Sequence, residues 1–180
     1  MAINKTKVAA SFNRSAQDYA NHAVLQRTVA ARLLERLELV NISPKMIIDV
    51  GSGPGGAARQ LAKMYKGAQV LQLDLSMEML RQSRSQDSRF FSKQQYICGD
   101  AESLPLGRDT AELVFSSLML QWCNDLDAAF TQMQNTLKKQ GLFLFATLGP
   151  DTLKELRSSW AEVDDELHVN TFIDMHDVGD

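Results

Sequence analysis

A chain of 180 residues, 44% hydrophobic and 23% charged, is long enough for one domain with a substantial core and too apolar to be disordered. A net charge of −3 argues against a general nucleic-acid binder, and no apolar run approaches the ~20 residues of a membrane helix. Met1–Lys5 lacks the apolar centre of a secretion signal. Cys98 and Cys123 have no metal spacing, so they read as free thiols in a reducing, cytoplasmic setting.

The charge is unevenly placed. Residues 1–36 hold six Lys/Arg against two acids, and residues 151–180 hold two against nine. Solvated helix faces account for such a bias. So would a basic surface, drawn from Arg14, Arg27, Arg32 and Arg36 or from Arg81, Arg84 and Arg89, that meets an acidic partner.

Residues 4–20 are polar and broken by Ser and Asn, which predicts a short helix or an ordered arm. From His22 to Leu39 the pattern is helical, with Leu25, Val29, Leu33 and Leu37 on one face, and Ser43-Pro44 ends it. Residues 1–44 thus read as a helical arm and substrate-side cap, and 45–180 as an α/β core.

The core opens with a strand at Met46–Val50 and runs through Gly51-Ser52-Gly53-Pro54-Gly55-Gly56 into a helix. Strand, glycine turn, helix is the entry to a doubly wound α/β domain with a ligand over the turn. The glycines satisfy the dinucleotide spacing G-x-G-x-x-G, but Asp49 stands two residues before them. A carboxylate there repels a diphosphate and attracts a cation. S-adenosylmethionine carries a sulfonium and an ammonium, so the sign suits it. Asp49, Gly51, Gly53 and Gly55 also form D-x-G-x-G-x-G, which resembles the first motif of class I S-adenosylmethionine-dependent methyltransferases.

Lys66-Gly67 stops the first core helix. Gln69–Asp74 predicts the second strand, and Ser76 caps a helix from Met77 to about Arg84. Gln95–Gly99 is the third strand, ending at Asp100-Ala101, and Ala111–Ser116 the fourth. Asn124 with Asp127 resembles a capping box for a helix whose apolar face is Leu126, Phe130, Met133 and Leu137, with Lys138 and Lys139 at its C-terminal dipole. Leu142–Leu148 is a fifth, near-continuous apolar strand. Asp151 would cap a last helix bearing Leu153, Leu156, Trp160 and Val163.

In an open sheet, ligands bind beyond the carboxyl ends of the strands, where Asp49–Gly56, Asp74, Asp100-Ala101 and Ser116 through Gln121 all fall. The glycine backbone, with Ser52, would approach the methionine portion and ribose of the cofactor. Asp74, followed by Leu75, would accept from the ribose hydroxyls. Asp100 would accept from the adenine amino group while the Ala101 N–H donates to the ring, and Met77 would pack on the adenine face. Ser116 and Leu118 would border the site from the fourth strand. No metal site and no nucleophilic triad is evident, and His22, His168 and His176 are scattered.

The flanks are more specific. Phe12–Ala30, Gly99–Leu106, Leu120–Trp122, Thr147–Asp164 and His168–Phe172 resemble the malonyl-thioester O-methyltransferases of biotin synthesis, the BioC family. Asn13, Ala20 and Ser52 depart from residues common there. The resemblance implies a Rossmann-like sheet in the order 3-2-1-4-5. It also implies methyl transfer from S-adenosylmethionine to the free carboxyl of malonyl-acyl carrier protein or malonyl-CoA, leaving S-adenosylhomocysteine. Tyr19 and Arg157, backed by Arg14 and Gln121, are the candidates to hold that carboxylate. Another small-molecule methyltransferase, or a chain that binds the cofactor without turnover, is the alternative. The family continues beyond Val178-Gly179-Asp180 with two more strands, so the sequence reads as truncated. Without those strands, Leu142–Leu148 would expose an apolar edge lacking proline or lysine, a template for self-association.

Overall fold

The computed structural model describes residues 2–87, 93–164, 166, 168 and 172. Arg89, His176 and the final Val178-Gly179-Asp180 lie outside them. The chain divides into two compact units, residues 1–146 and 147–180.

The first unit begins with three helices, α1 (Lys5–Ser15), α2 (Tyr19–His22) and α3 (Val24–Leu37). Strand and helix then alternate: β1 (Met46–Val50), α4 (Gly56–Met64), β2 (Gln69–Asp74), α5 (Met77–Ser85), β3 (Gln94–Cys98), β4 (Ala111–Ser117), α6 (Leu126–Thr136) and β5 (Leu137–Ala146), with a 3₁₀ turn at Leu120–Trp122. All strand pairs are parallel, in the order β3-β2-β1-β4-β5. The reversal of direction at β1 and β4 opens a crevice at the carboxyl ends of those strands.

Alternation along each strand explains why the strands are apolar throughout. Ile47, Val70, Leu113 and Phe115 join Leu33, Leu34 and Leu37 of α3 and Leu61 of α4 in one core layer. Their neighbours Ile48, Leu71 and Val114 join Leu120 and Met133 in the other. Both faces of the sheet are covered, so neither can carry polar side chains freely.

Three local expectations change. The α6 cap is Asp125, whose carboxylate accepts the Ala128 N–H at 2.8 Å, and not Asn124, which bonds to the Ile3 backbone instead. β5 starts at Leu137, so Lys138 and Lys139 lie in the strand rather than at the helix end. Its register jumps from Ala111↔Leu137 to Leu113↔Leu142, a bulge in which Gln140 takes φ +68°. Glu112 draws Lys138 there: it binds the ammonium at 2.6 Å and accepts the Met46 N–H at 2.8 Å. β5 is the last strand of the sheet, and these two lysines at its start are the edge charges that Leu142–Leu148 lacks.

The second unit contains α7 (Lys154–Ala161). Asp151 does not cap it. Leu153 occupies the cap position at φ +59°, and the Asp151 carboxylate lies 3.4 Å from Lys154 Nζ. Leu153, Leu156, Trp160 and Val163 are all exposed. Trp160 stacks on His168, with ring centroids 3.9 Å apart.

Candidate cofactor and active site

β1 delivers Asp49 into the crevice with 1% of its surface exposed. Burial, reinforced by the charge of Asp74, pushes its carboxyl up to about 7, against the pull of the Ala58 N–H. Its Oδ2 is enclosed and has no partner. A buried carboxylate oxygen with nothing to bind is costly unless a ligand supplies a donor or a positive charge.

The turn after β1 is pinned to β2, since the Leu73 carbonyl accepts both the Gly51 N–H (2.8 Å) and the Ser52 N–H (3.1 Å). Gly51, Gly53 and Gly55 all have positive φ, at +74°, +52° and +75°. Their surroundings differ. A Cβ on Gly55 would stand 1.9 Å from Ser83 Oγ, so that glycine exists for packing. A Cβ on Gly53 would meet nothing within 4 Å, so that glycine faces open space.

Asp74 ends β2 and organises the next corner. Oδ2 accepts the Gly53 N–H and Oδ1 the Ser76 N–H, both at 2.8 Å. Burial still leaves its carboxyl raised, because these two bonds offset only part of the desolvation. Each oxygen keeps one lone pair for a ligand hydroxyl.

Asp100, just past β3, is held by Lys5 of α1. Lys5 Nζ lies 2.6 Å from Asp100 Oδ1 and 3.0 Å from Glu102 Oε2. Burial lowers the Lys5 pKa, but the bonds to these two carboxylates outweigh it and leave it raised. At the other end of α1, Asn13 Oδ1 accepts from Ser76 Oγ at 2.7 Å and from the Glu78 N–H at 3.2 Å. Phe12 meets Trp122 edge-on at 5.4 Å and Tyr19 at 6.3 Å.

These groups enclose a cavity of about 290 Å³. Asp49, Gly51, Ser52, Gly53, Asp74, Leu75, Asp100, Ala101, Leu118 and Tyr19 all line it. Gly55, Met77 and Ser116 do not. Ser116 is buried and donates its hydroxyl to the Val50 carbonyl at 3.0 Å, tying β4 to β1. Met77 is 44% exposed, whereas Met79, two residues on, is buried and lines the cavity. Arg157 belongs to the second unit, where its guanidinium binds the carbonyls of Thr152 (2.6 Å) and Pro150. Gln121 donates to the Leu118 carbonyl at 2.8 Å, and its Oε1 is buried without a partner. Arg14 is exposed and is not part of the wall.

Sequence reasoning missed Lys5, Val8 and Phe12, the stripe of α1 that faces the cavity, although their i, i+3, i+7 spacing was a signal. It also missed Gln26, whose wall position no local pattern announces. The Cys123 thiol in the wall is pushed up to about 12 by burial, so it stays protonated.

The methyltransferase-domain family matches residues 48–145, from β1 to the end of β5. The chain belongs to that family. This methyltransferase domain is 46% identical over 99% of its length to a malonyl-[acyl-carrier protein] O-methyltransferase of Gallionella capsiferriformans, covering 63% of that protein. It is 45% identical over 99% of its length to one of Methylovorus, covering 62%. The chain thus spans about three fifths of the length of the curated relatives it matches. Among solved structures it resembles an S-adenosylmethionine-dependent methyltransferase from Mesorhizobium loti, at 32% identity and a TM-score of 0.57, over 64% of this chain and 52% of that one.

The residues of this methyltransferase domain fit S-adenosylmethionine. The unpartnered Asp49 Oδ2 suits its cationic tail. The open space before Gly53 suits a ligand passing close to the backbone. Asp74 has acceptor capacity left for a ribose.

Proposed function

We propose that the protein transfers a methyl group from S-adenosylmethionine to the free carboxyl of malonyl-acyl carrier protein, with malonyl-CoA as the smaller alternative substrate. The single observation behind a cationic cofactor is the buried, unpartnered Asp49 carboxylate oxygen at the glycine turn. The substrate rests on the relatives, 36–46% identical over nearly all of this chain, that carry that name.

Bound here, S-adenosylmethionine supplies a methyl group on a sulfonium centre. The chain's residues bind and orient. Asp49 would face the cationic tail, Asp74 the ribose, and Asp100 with the Ala101 N–H the adenine. A malonyl carboxylate is ionised at neutral pH, so no general base is needed, and in-line positioning with exclusion of water carries the reaction. The Tyr19 phenol is raised by burial and by the charge of Asp74, so it remains a neutral donor that can hold a carboxylate without taking its charge.

Arg14, Arg32 and Arg36, exposed on α1 and α3, are the basic surface we assign to an acidic carrier protein. The unpaired thiols Cys98 and Cys123 suit a reducing cytoplasm. The outer side of β5 is where a second copy would associate, which light scattering across concentration tests.

The deciding experiment is methyl-ester formation on malonyl carrier protein with labelled S-adenosylmethionine. Label in a base-labile ester is expected. Cofactor binding with no label on either malonyl thioester would overturn the substrate assignment.

A further inference from the structure

Asp100 is gripped by one of its two oxygens. Lys5 Nζ lies 2.6 Å from Oδ1, and the Glu102 N–H donates to that same oxygen at 3.0 Å. Among the described residues no donor reaches Oδ2. The carboxylate thus has one oxygen fixed and one free, and it stands in the cavity wall beside Lys5 and Ala101. The Glu102 bond is a local one, two residues along the chain. Alone it would leave the carboxylate able to swing about a single contact. A second donor, arriving from another element, removes that freedom.

Lys5 is itself placed. Its ammonium lies 3.0 Å from Glu102 Oε2, and Glu102 Oε1 accepts the N–H groups of Asn124 and Asp125. The Asn124 side chain bonds both the N–H and the carbonyl of Ile3, two residues before Lys5. Three stretches of chain, residues 3–5, 100–102 and 124–125, therefore set the ammonium against Oδ1. The Lys5 side chain is only 20% exposed, so water screens this contact less than it does a surface ion pair.

We infer that Lys5 is a positioning residue for base selection: by fixing Asp100 Oδ1 it presents Oδ2 to the exocyclic amino group of the cofactor's adenine. The inference rests on the adenine placement proposed above. A hypoxanthine base inverts the pattern that Asp100 and Ala101 would read. Its 6-oxo oxygen would face the Oδ2 lone pairs, and its N1–H would face the Ala101 N–H. A rigid Asp100 rejects that base, because acceptor opposes acceptor and donor opposes donor. A carboxylate free to swing away rejects it less.

Calorimetry with S-adenosylhomocysteine and S-inosylhomocysteine, which differ only at this edge of the base, reads the effect as a ratio of affinities. The wild-type chain should favour the adenine ligand by about a hundredfold. Lys5→Met should cut that ratio about tenfold, and Lys5→Arg, which keeps a charged donor, should restore most of it. Asn13→Ala loosens the other end of α1 and should weaken both ligands alike, leaving the ratio within twofold. In an Asp100→Ala background, Lys5→Met should no longer move the ratio, since Lys5 acts through that carboxylate. A wild-type ratio retained within twofold in Lys5→Met, with both ligands weakened equally, would make Lys5 a tie of the helix alone and overturn the inference. A further fall in the Asp100→Ala background would overturn it too. A wild-type chain that binds the two ligands equally would remove the adenine placement itself, and this inference with it.

Discussion

The floor and the roof of the cavity are built by different means. The floor is the carboxyl end of β1 and β2 with the glycine turn, where Asp49, Ser52 and Asp74 sit among buried strands. Its geometry is held by backbone hydrogen bonds and by packing too tight to admit a Cβ at Gly55. The roof is α1, which buries no residue and is tied mainly by side chains, Lys5 at one end, Asn13 at the other and Phe12 against Trp122 between them. A surface fixed by packing cannot yield without loss of fold, whereas side-chain ties can break singly. The floor can therefore present a fixed ligand frame while the roof opens to admit the ligand.

The largest effect should come from breaking the floor. Gly55→Val forces a branched side chain into a positive-φ position already filled by Ser83 and should cost roughly 3–5 kcal/mol. Gly53→Ala has the same backbone conflict but open space ahead, so it should cost only about 1–2 kcal/mol while weakening cofactor binding. Urea denaturation of the two variants checks the contrast, and equal losses would remove the distinction between a packing glycine and a ligand-facing one.

Asp74→Ala should be next. It strips the Gly53 and Ser76 N–H groups of their acceptor and leaves ribose hydroxyls unpaired, costing about 1–3 kcal/mol of affinity for S-adenosylhomocysteine. Calorimetry measures this, and unchanged binding would contradict the placement of the ribose.

A pH series sharpens the role of Asp49. With its carboxyl held near 7, the ligand-free native state keeps a proton that the unfolded chain loses near 4. Its stabilising contribution is therefore present at low pH and is lost as pH rises between those values. A cationic ligand prefers the ionised form, so affinity for S-adenosylmethionine should rise by up to about tenfold per pH unit below 7 and level off above. Asp49→Asn should flatten that rise. A wild-type affinity independent of pH from 5.5 to 7.5 would show that no cation sits beside Asp49.

The smallest effect belongs to the roof. Lys5→Met removes a partly exposed ion pair, so stability should fall by no more than about 1 kcal/mol. The release of S-adenosylhomocysteine should nevertheless quicken several-fold, and residues 5–15 should lose hydrogen-exchange protection. Unchanged release with unchanged protection would make α1 as rigid as the floor.

The sequence by itself determined the floor. Strands β1 and β2 have the bounds their apolar runs predict, and the strand order is the one that the family resemblance implied. Such signals are local: a strand, a positive-φ turn and a helix lie within a dozen residues, and the side chains there have no alternative. The tertiary structure alone decided the roof. Lys5 meets Asp100 across 95 positions and Asn13 meets Ser76 across 63, so neither bond leaves a trace in neighbouring residues. It also decided β5, where Glu112 on the adjoining strand drew Lys138 out of a helix end and into a bulge. Met77 and Met79 make the same point within one helix. Both are apolar and both follow Asp74, yet the rotation of α5 on its cap exposes one and turns the other to the cavity.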